Sequence, residues 1–332
     1  MIWYKNNKGG IVISTRIRLA RNIDSVPFPS SLKDKEKVTN DIKNAVLKSN
    51  STLANDFEFI NLDSLSKQKR LSLEEEHLIS PQMLDGNGKS VLINKDKTMS
   101  IMLMEEDHIR LQVIQSGLAL DEAYETASRV DDVIEESLTY AFDETFGYLT
   151  ACPTNAGTGL RASVMMHLPA LTLTKNIGRV ANASTGFGIE VRGLYGEGTA
   201  ADGNLYQISN RVTMGLSEKE ILEKLKGVVH QITEMEEKAR KSLEENSLNA
   251  LSDRIFRSYG ILKYARSIAS AEAQERLSDI MLGADMGIIK PDGKISPLEC
   301  MIKSAPSLIS GGEELPPEKR DTLRAEFIRN NI

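Results

Sequence analysis

The chain has 332 residues, 40% hydrophobic and 27% charged, ordinary values for a globular protein of roughly two domains with a sizeable buried core. Lys and Arg number 41 against 47 Asp and Glu, a net charge of −6, which excludes the broadly basic surface of a general nucleic-acid binder. Two distant cysteines, no apolar N-terminal segment and a longest mostly apolar run (164–173) broken by His167 and Pro169 predict a soluble, cytoplasmic, reduced protein without a membrane span.

In chain order, residues 13–22 (ISTRIRLARN) set Ser14, Arg16 and Arg18 against Thr15, Ile17 and Leu19, a period of two that predicts a strand with one basic face. Spaced apolar positions over 33–50 predict a helix. GNGKS at 86–90 predicts a hairpin turn between strands. Residues 101–114 predict two strands around the acidic turn Glu105-Glu106-Asp107. Apolar residues at steps of three and four from Leu120 to Ala141 predict a helix over 120–146, with Asp121 and Glu122 in its first turn. A Gly-rich stretch with strands follows to 212, and helical patterns dominate from Ser217 onward. The change in pattern near 245 predicts a mixed α/β domain over 1–245 and a smaller helical domain over 246–332.

No G-x-x-x-x-G-K-[ST] loop, no H-R-D or D-F-G pair and no zinc-spaced Cys/His cluster occurs, so no metal ligands are assigned. The distinctive feature is a set of arginines: Arg16, Arg18 and Arg21 in one segment, then Arg110, Arg161 and Arg192 beside acidic or glycine-rich stretches. Taken singly, each could serve a weak surface ion pair. Together they could hold a triphosphate, because guanidinium presents a planar, permanently charged pair of donors.

The stretches STRIRLARN, HLISP, EEDHIR, CPTNAGTGLRASVMMHLPAL, RGLYGEG and YQISN resemble the phosphagen (guanidino) kinases, and the resemblance covers residues 11–330. RDTLRA at 320–325 resembles the branch that acts on arginine within proteins. The resemblance implies an α+β fold: a catalytic domain with an antiparallel sheet flanked by helices, glutamine-synthetase-like, followed by a helical C-terminal domain that would also support a homodimer. It implies transfer of the ATP γ-phosphoryl group to a guanidinium nitrogen, with Mg²⁺ on the phosphates. Ser14, Thr15, Arg16, Ile17 and Arg18 would hold the nucleotide phosphates; Thr15 replaces a serine common in relatives and keeps the hydroxyl. His77 would lie near the adenine. Arg110, Arg161 and Arg192 would complete the clamp. Ala162, Ser163, Val164 and Met165, and Gly193, Leu194, Tyr195, Gly196 and Glu197, would contact nucleotide.

By the same resemblance, Glu106 and Glu197 would grip the acceptor guanidinium, Glu106 as base, beside Cys152. Carboxylates suit this chemistry, since a guanidinium with a pKa of about 12.5–13.8 must be oriented and deprotonated before its nitrogen attacks. Arg320, Asp321, Arg324 and Ala325 would form an allosteric phosphoarginine pocket. Kinases of free arginine or creatine carry a helical domain ahead of the STRIRLARN-like segment, which here begins near residue 13; an open site for arginine on another protein is the expectation. Partners implied by the resemblance are a zinc-finger activator, the ClpC unfoldase and a stress-response repressor, with marked proteins destined for degradation. The rival expectations are a small-molecule guanidino kinase and a catalytically silent phosphoarginine-binding adaptor.

Overall fold

Strand β1 (Val12–Arg21) carries the arginine segment, and its alternation is physical: Ile13, Ile17 and Leu19 are buried, while Arg16 and Arg18 remain partly exposed. The computed structural model describes residues 2–5, 9–193 and 201–332. After β1 come helix α1 (Lys35–Leu47), strand β2 (Phe57–Asn61), helix α2 (Lys67–Glu75) and the strands β3 (Ser90–Asn94), β4 (Met99–Leu103) and β5 (Ile109–Ser116). Helix α1 starts where the Asp34 carboxylate accepts the Lys37 N–H. β2 to β5 pair antiparallel, with Met99 opposite Val113 and Leu103 opposite Ile109 across the acidic turn.

Helix α3 (Leu120–Glu135) buries Leu120, Ala123, Ala127, Val130 and Ile134, the face expected from the sequence. It stops well short of 146. Residues 139–141 instead pair with β1's continuation: Asp24 N–H donates to the Thr139 carbonyl, Ala141 N–H to the Asn22 carbonyl, and Ile23 bridges Tyr140. Leu138 and Ala141 continue the helical spacing by residue type, but strand pairing takes their backbone. The expected hairpin at 86–90 also differs. The element directly before it is not a strand but a 3₁₀ turn at Pro81–Met83, and the Asn87 and Gly88 N–H groups donate to the Asp63 carboxylate at 2.7 and 2.8 Å.

Strands β6 (Phe142–Asp143) and β7 (Gly147–Tyr148) form a small hairpin. Then follow β8 (Leu160–His167), α4 (Pro169–Leu173), α5 (Ile177–Thr185), β9 (Ile189–Gly193) and β10 (Leu205–Asn210). The larger sheet has the order β2-β3-β4-β5-β1-β8-β10-β9. Five helices end the chain: α6 (Glu218–Tyr264), α7 (Ser270–Asp285), α8 (Pro297–Lys303), α9 (Pro306–Ile309) and α10 (Pro317–Asn331). The expected fold class, an antiparallel sheet flanked by helices with a helical C-terminal part, is the one adopted. No helix among the described residues is long and apolar enough to cross a membrane.

The chain divides into two compact units. The first is chiefly Thr15–Ser163 and Ser209–Leu225, with one packed cluster formed by Leu62, Leu78, Met83, Val91, Ile93 and Met102. The second is chiefly Tyr4–Ser14, Val164–Ile208 and Lys226–Ile332. Helix α6 runs through residue 245, and its backbone leaves helical geometry at Ser247 (φ −148°, ψ 22°). In the second unit the long charged helix hides Glu236, fully buried, whose carboxylate accepts the Ala170 and Leu171 N–H groups at the start of α4 and an Arg240 hydrogen bond at 3.0 Å.

Candidate active site

The first unit brings three guanidinium groups within electrostatic reach of a fourth, that of Arg18. Burial lowers the proton affinity of Arg18 well below the ordinary arginine range, and the neighbouring charges of Arg16, Arg110 and Arg161 lower it further, with Glu105 opposing them. Among the described residues, the buried Nε of Arg18 has no hydrogen-bond acceptor. A like-charged cluster with an orphaned donor fits a multiply charged anion, whose oxygens would supply the missing acceptors and neutralise the repulsion. Arg161 is steadied by donating to Ser209 Oγ at 3.2 Å, and Ala162 N–H donates to Asn210 Oδ1 at 2.8 Å.

Strand parity decides which arginines take part. Arg16 and Arg18 share a face of β1; Arg21, three residues on, faces the other way. Arg21 is buried, pairs with Asp131 at 2.8 Å and lies 3.5 Å from the Tyr148 ring centroid, so it braces the fold. Thr15 is likewise committed: its hydroxyl donates to the Gly117 carbonyl at 2.7 Å and accepts from Ala119 N–H at 3.0 Å, just ahead of α3. Ile17, Ala162 and Val164 are fully buried, and Ser14 and Ser163 nearly so.

The acidic turn between β4 and β5 separates three carboxylates by environment. Burial works against ionisation of Glu105, but the Arg110 guanidinium, bonded at 2.6 Å, and the Ser80 hydroxyl outweigh it and hold the carboxyl below the usual range. Asp107 is buried and accepts from Asn22 Nδ2 and Ala151 N–H, each at 2.7 Å. Glu106 between them is exposed. Its carboxyl is pushed up, first by partial desolvation and then by the charges of Asp107 and Glu105, while the Arg110 charge and then the Cys152 side chain work in the opposite direction. Cys152 Sγ lies 3.0 Å from Thr154 Oγ1. The turn holds Met104 at φ 61°, a conformation disfavoured for a side chain of this size and one that concentrates at functional sites.

His77 is also in the left-handed region (φ 62°), edge-on to Trp3 with ring centroids 5.6 Å apart. Burial, with Arg16 nearby, pushes its imidazole down to about 3, so it is neutral at physiological pH. The loop after Cys152 packs without room for side chains: a Cβ on Gly147 would meet the Gly157 carbonyl oxygen at 2.5 Å, and one on Gly157 the Thr213 carbonyl oxygen at 2.4 Å.

Residues 37–239 match the family described as ATP:guanido phosphotransferase, C-terminal catalytic domain, and residues 248–332 the Protein-arginine kinase McsB C-terminal domain. A protein-arginine kinase of Brevibacillus brevis is 47% identical over 334 residues, covering 97% of this chain and 92% of that one. One of Halothermothrix orenii is 49% identical over 327 residues, covering 97% and 93%. The chain belongs to the protein-arginine kinase family. A crystal structure of lombricine kinase is similar with a TM-score of 0.60 and 27% identity, over 70% of this chain and 69% of that one. The chain is accordingly an enzyme with a guanidino-phosphotransferase catalytic domain.

Other site residues expected from sequence belong to the second unit or fall outside the described residues. Met165, Arg192 and Gly193 belong to the second unit, where Arg192 is exposed and pairs with Glu190 at 2.7 Å. Leu194, Tyr195, Gly196 and Glu197 lie outside the described residues. In α10, Arg324 is buried: its Nε donates to the Ser304 carbonyl at 2.8 Å and its Nη1 to the Ile268 carbonyl at 2.9 Å and to Asp321. Arg320 is partly exposed with its Nε buried, and Ala325 is buried.

Asn22, Ser80 and Ser209 are not singled out by the sequence, and Asp107 only as part of an acidic turn. The only sequence signal was their place inside STRIRLARN, EEDHIR, HLISP and YQISN; each acts through a partner distant along the chain.

Proposed function

We propose that this chain transfers the γ-phosphoryl group of ATP to the guanidinium of arginine residues in proteins. The carrying observation is the Arg16, Arg18, Arg110 and Arg161 cluster, anionic-ligand-seeking at the orphaned Nε of Arg18, in the same unit as the exposed, proton-hungry Glu106. In this reading the four arginines hold the triphosphate, with Arg192 joining them, and the desolvated His77 packs by the base. Thr15 and Ile17 act by shaping the strand. Glu106 orients the acceptor guanidinium, together with Glu197, and Cys152 fixes the Glu106 carboxylate by hydrogen bonding. As the N–P bond forms and the bond from γ-phosphorus to the ADP oxygen breaks, Glu106 takes the proton that the guanidinium nitrogen loses.

Mg²⁺ would arrive on the nucleotide oxygens and lower the charge on the transferred group. Among the described residues no group of three His, Cys, Asp or Glu side chains is arranged to hold a metal.

In α10, the partly exposed Arg320 would donate to a phosphoarginine, whereas Arg324 is held by its bonds to the Ser304 and Ile268 carbonyls. The family resemblance extends the proposal to a homodimer in the cytoplasm that marks proteins for degradation with a zinc-finger activator, the ClpC unfoldase and a stress-response repressor. Co-purification from stressed cells tests those partners. The enzymatic reading is tested with casein, ATP and Mg²⁺, phosphoarginine being detected by mass spectrometry under non-acidic conditions, against free arginine and creatine. Phosphorylation of only the free guanidines overturns it.

A further inference from the structure

The first unit exposes apolar side chains on two separate segments, 142–149 and 212–214. Phe142 and Phe146 of the β6–β7 hairpin are 58% and 54% exposed, and Leu149, Val212 and Met214 are also exposed. The backbone packing groups them. Gly147 approaches Gly157, and Gly157 approaches Thr213 and the Met214 Cα, each too closely for a Cβ. Thr213 Oγ1 also donates to the Thr154 and Ala156 carbonyls at 2.9 and 2.7 Å. The segments 146–149, 154–157 and 212–214 therefore lie side by side.

The hairpin is braced by local contacts. The Asp143 carboxylate accepts the Thr145 and Phe146 N–H groups at 2.8 and 2.9 Å, and the Phe142 ring packs edge-on against Tyr148, itself stacked on the buried Arg21. Exposed aromatic rings on a braced turn present a preorganised contact surface, since little order remains to be imposed on binding.

The surface is continuous with the candidate acceptor site. The Leu149 carbonyl accepts from Asn22 Nδ2 at 3.0 Å, and the same amide holds Asp107. Two residues beyond Leu149, the Ala151 N–H donates at 2.7 Å to Asp107, the neighbour of Glu106, a span of at most about 7 Å along the chain. An arginine in an extended polypeptide has its flanking side chains at about 3.3 Å per residue along the backbone. One inserted at Glu106 would carry its near neighbours over this shelf.

We infer that Phe142, Phe146, Leu149, Val212 and Met214 form a docking shelf for aliphatic or aromatic side chains flanking the acceptor arginine in an extended polypeptide. The inference rests on the protein-arginine kinase reading and adds a flank preference to it. An apolar shelf selects arginines whose neighbours are themselves apolar, as in segments that a folded protein would bury.

The test compares two peptides with one central arginine, flanked by Leu and Phe or by Gly and Ser, as substrates of the full chain and of its Phe142→Ser/Phe146→Ser variant. Wild type is expected to favour the apolar-flanked peptide roughly tenfold in kcat/KM, mostly through KM. In the variant that ratio is expected to collapse toward one while nucleotide binding persists. Equal efficiency on both peptides in wild type, or an undiminished preference in the variant, overturns the shelf and leaves the kinase reading standing. Phosphorylation of neither peptide, nor of casein, by wild type overturns that reading and the shelf with it.

Discussion

Asn22 donates its side-chain amide to Asp107 at 2.7 Å, and through that bond the strand bearing the arginines is fastened to the turn bearing Glu106. Asn22 Oδ1 accepts His108 N–H at 2.9 Å from the same turn. Asn22→Ala leaves buried polar groups short of partners, at about 1–3 kcal/mol. Catalysis should suffer more than folding: kcat should fall at least tenfold with ATP affinity nearly unchanged, since misaimed reactants lose the advantage of fixed orientation. Steady-state kinetics beside a nucleotide-binding assay checks this split.

Glu106→Gln keeps the shape of the side chain and removes its capacity to accept a proton. Phosphoryl transfer should drop by about 10²–10⁴ with ATP still bound. In wild type the raised Glu106 carboxyl predicts that kcat/KM falls with decreasing pH through a pKa above the usual carboxylate range, because only the ionised form can act as base. Wild-type turnover in the variant contradicts the assignment.

Arg18 sits among like charges with an orphaned donor, an arrangement that costs stability until an anion arrives. Arg18→Met should therefore raise the melting temperature of the nucleotide-free protein by a few degrees while abolishing most of the stabilisation that ATP gives wild type. Thermal scans with and without ATP read both effects. A variant destabilised without nucleotide and still stabilised by ATP would remove Arg18 from the phosphate site.

Two arginines one helical turn apart in α10 should behave oppositely. Arg324→Ala strips partners from the Ser304 and Ile268 carbonyls and from Asp321, and should destabilise the protein by about 3–5 kcal/mol. Arg320→Ala should change stability by no more than about 0.5 kcal/mol, yet weaken phosphoarginine binding in calorimetry. Unchanged binding would leave Arg320 a solvated helix residue.

His167 in the second unit is fully buried, with Nε2 2.8 Å from Ser278 Oγ, and burial together with Arg240 pushes it from 6.5 down to about 3. Between those values the unfolded chain binds the proton and the folded chain does not. Its contribution to stability is therefore present above pH 6.5 and is lost as pH falls toward about 3. His167→Gln should flatten the acid limb of a melting-temperature-versus-pH curve; an unchanged limb would show that His167 does not contribute to it.

Local chemistry was enough to reveal much of this protein. The alternation of Ile13, Ile17 and Leu19 with Arg16 and Arg18 shows a basic strand face, the spacing from Leu120 to Ile134 shows a buried helix face, and the motif set shows the family, because periodicity and residue type are properties of neighbours in sequence. Tertiary packing decided the rest. Helix α3 ends early because residues 139–141 find strand partners near Asn22 and Ile23; Glu236 and Arg324, charged residues in helical sequence, are buried because distant backbone groups need them. Glu105, Glu106 and Asp107, three adjacent acids in the sequence, diverge into an arginine holder, an exposed candidate base and a brace. Desolvation and the position of each counter-charge set those roles, and both exist only once the chain has folded.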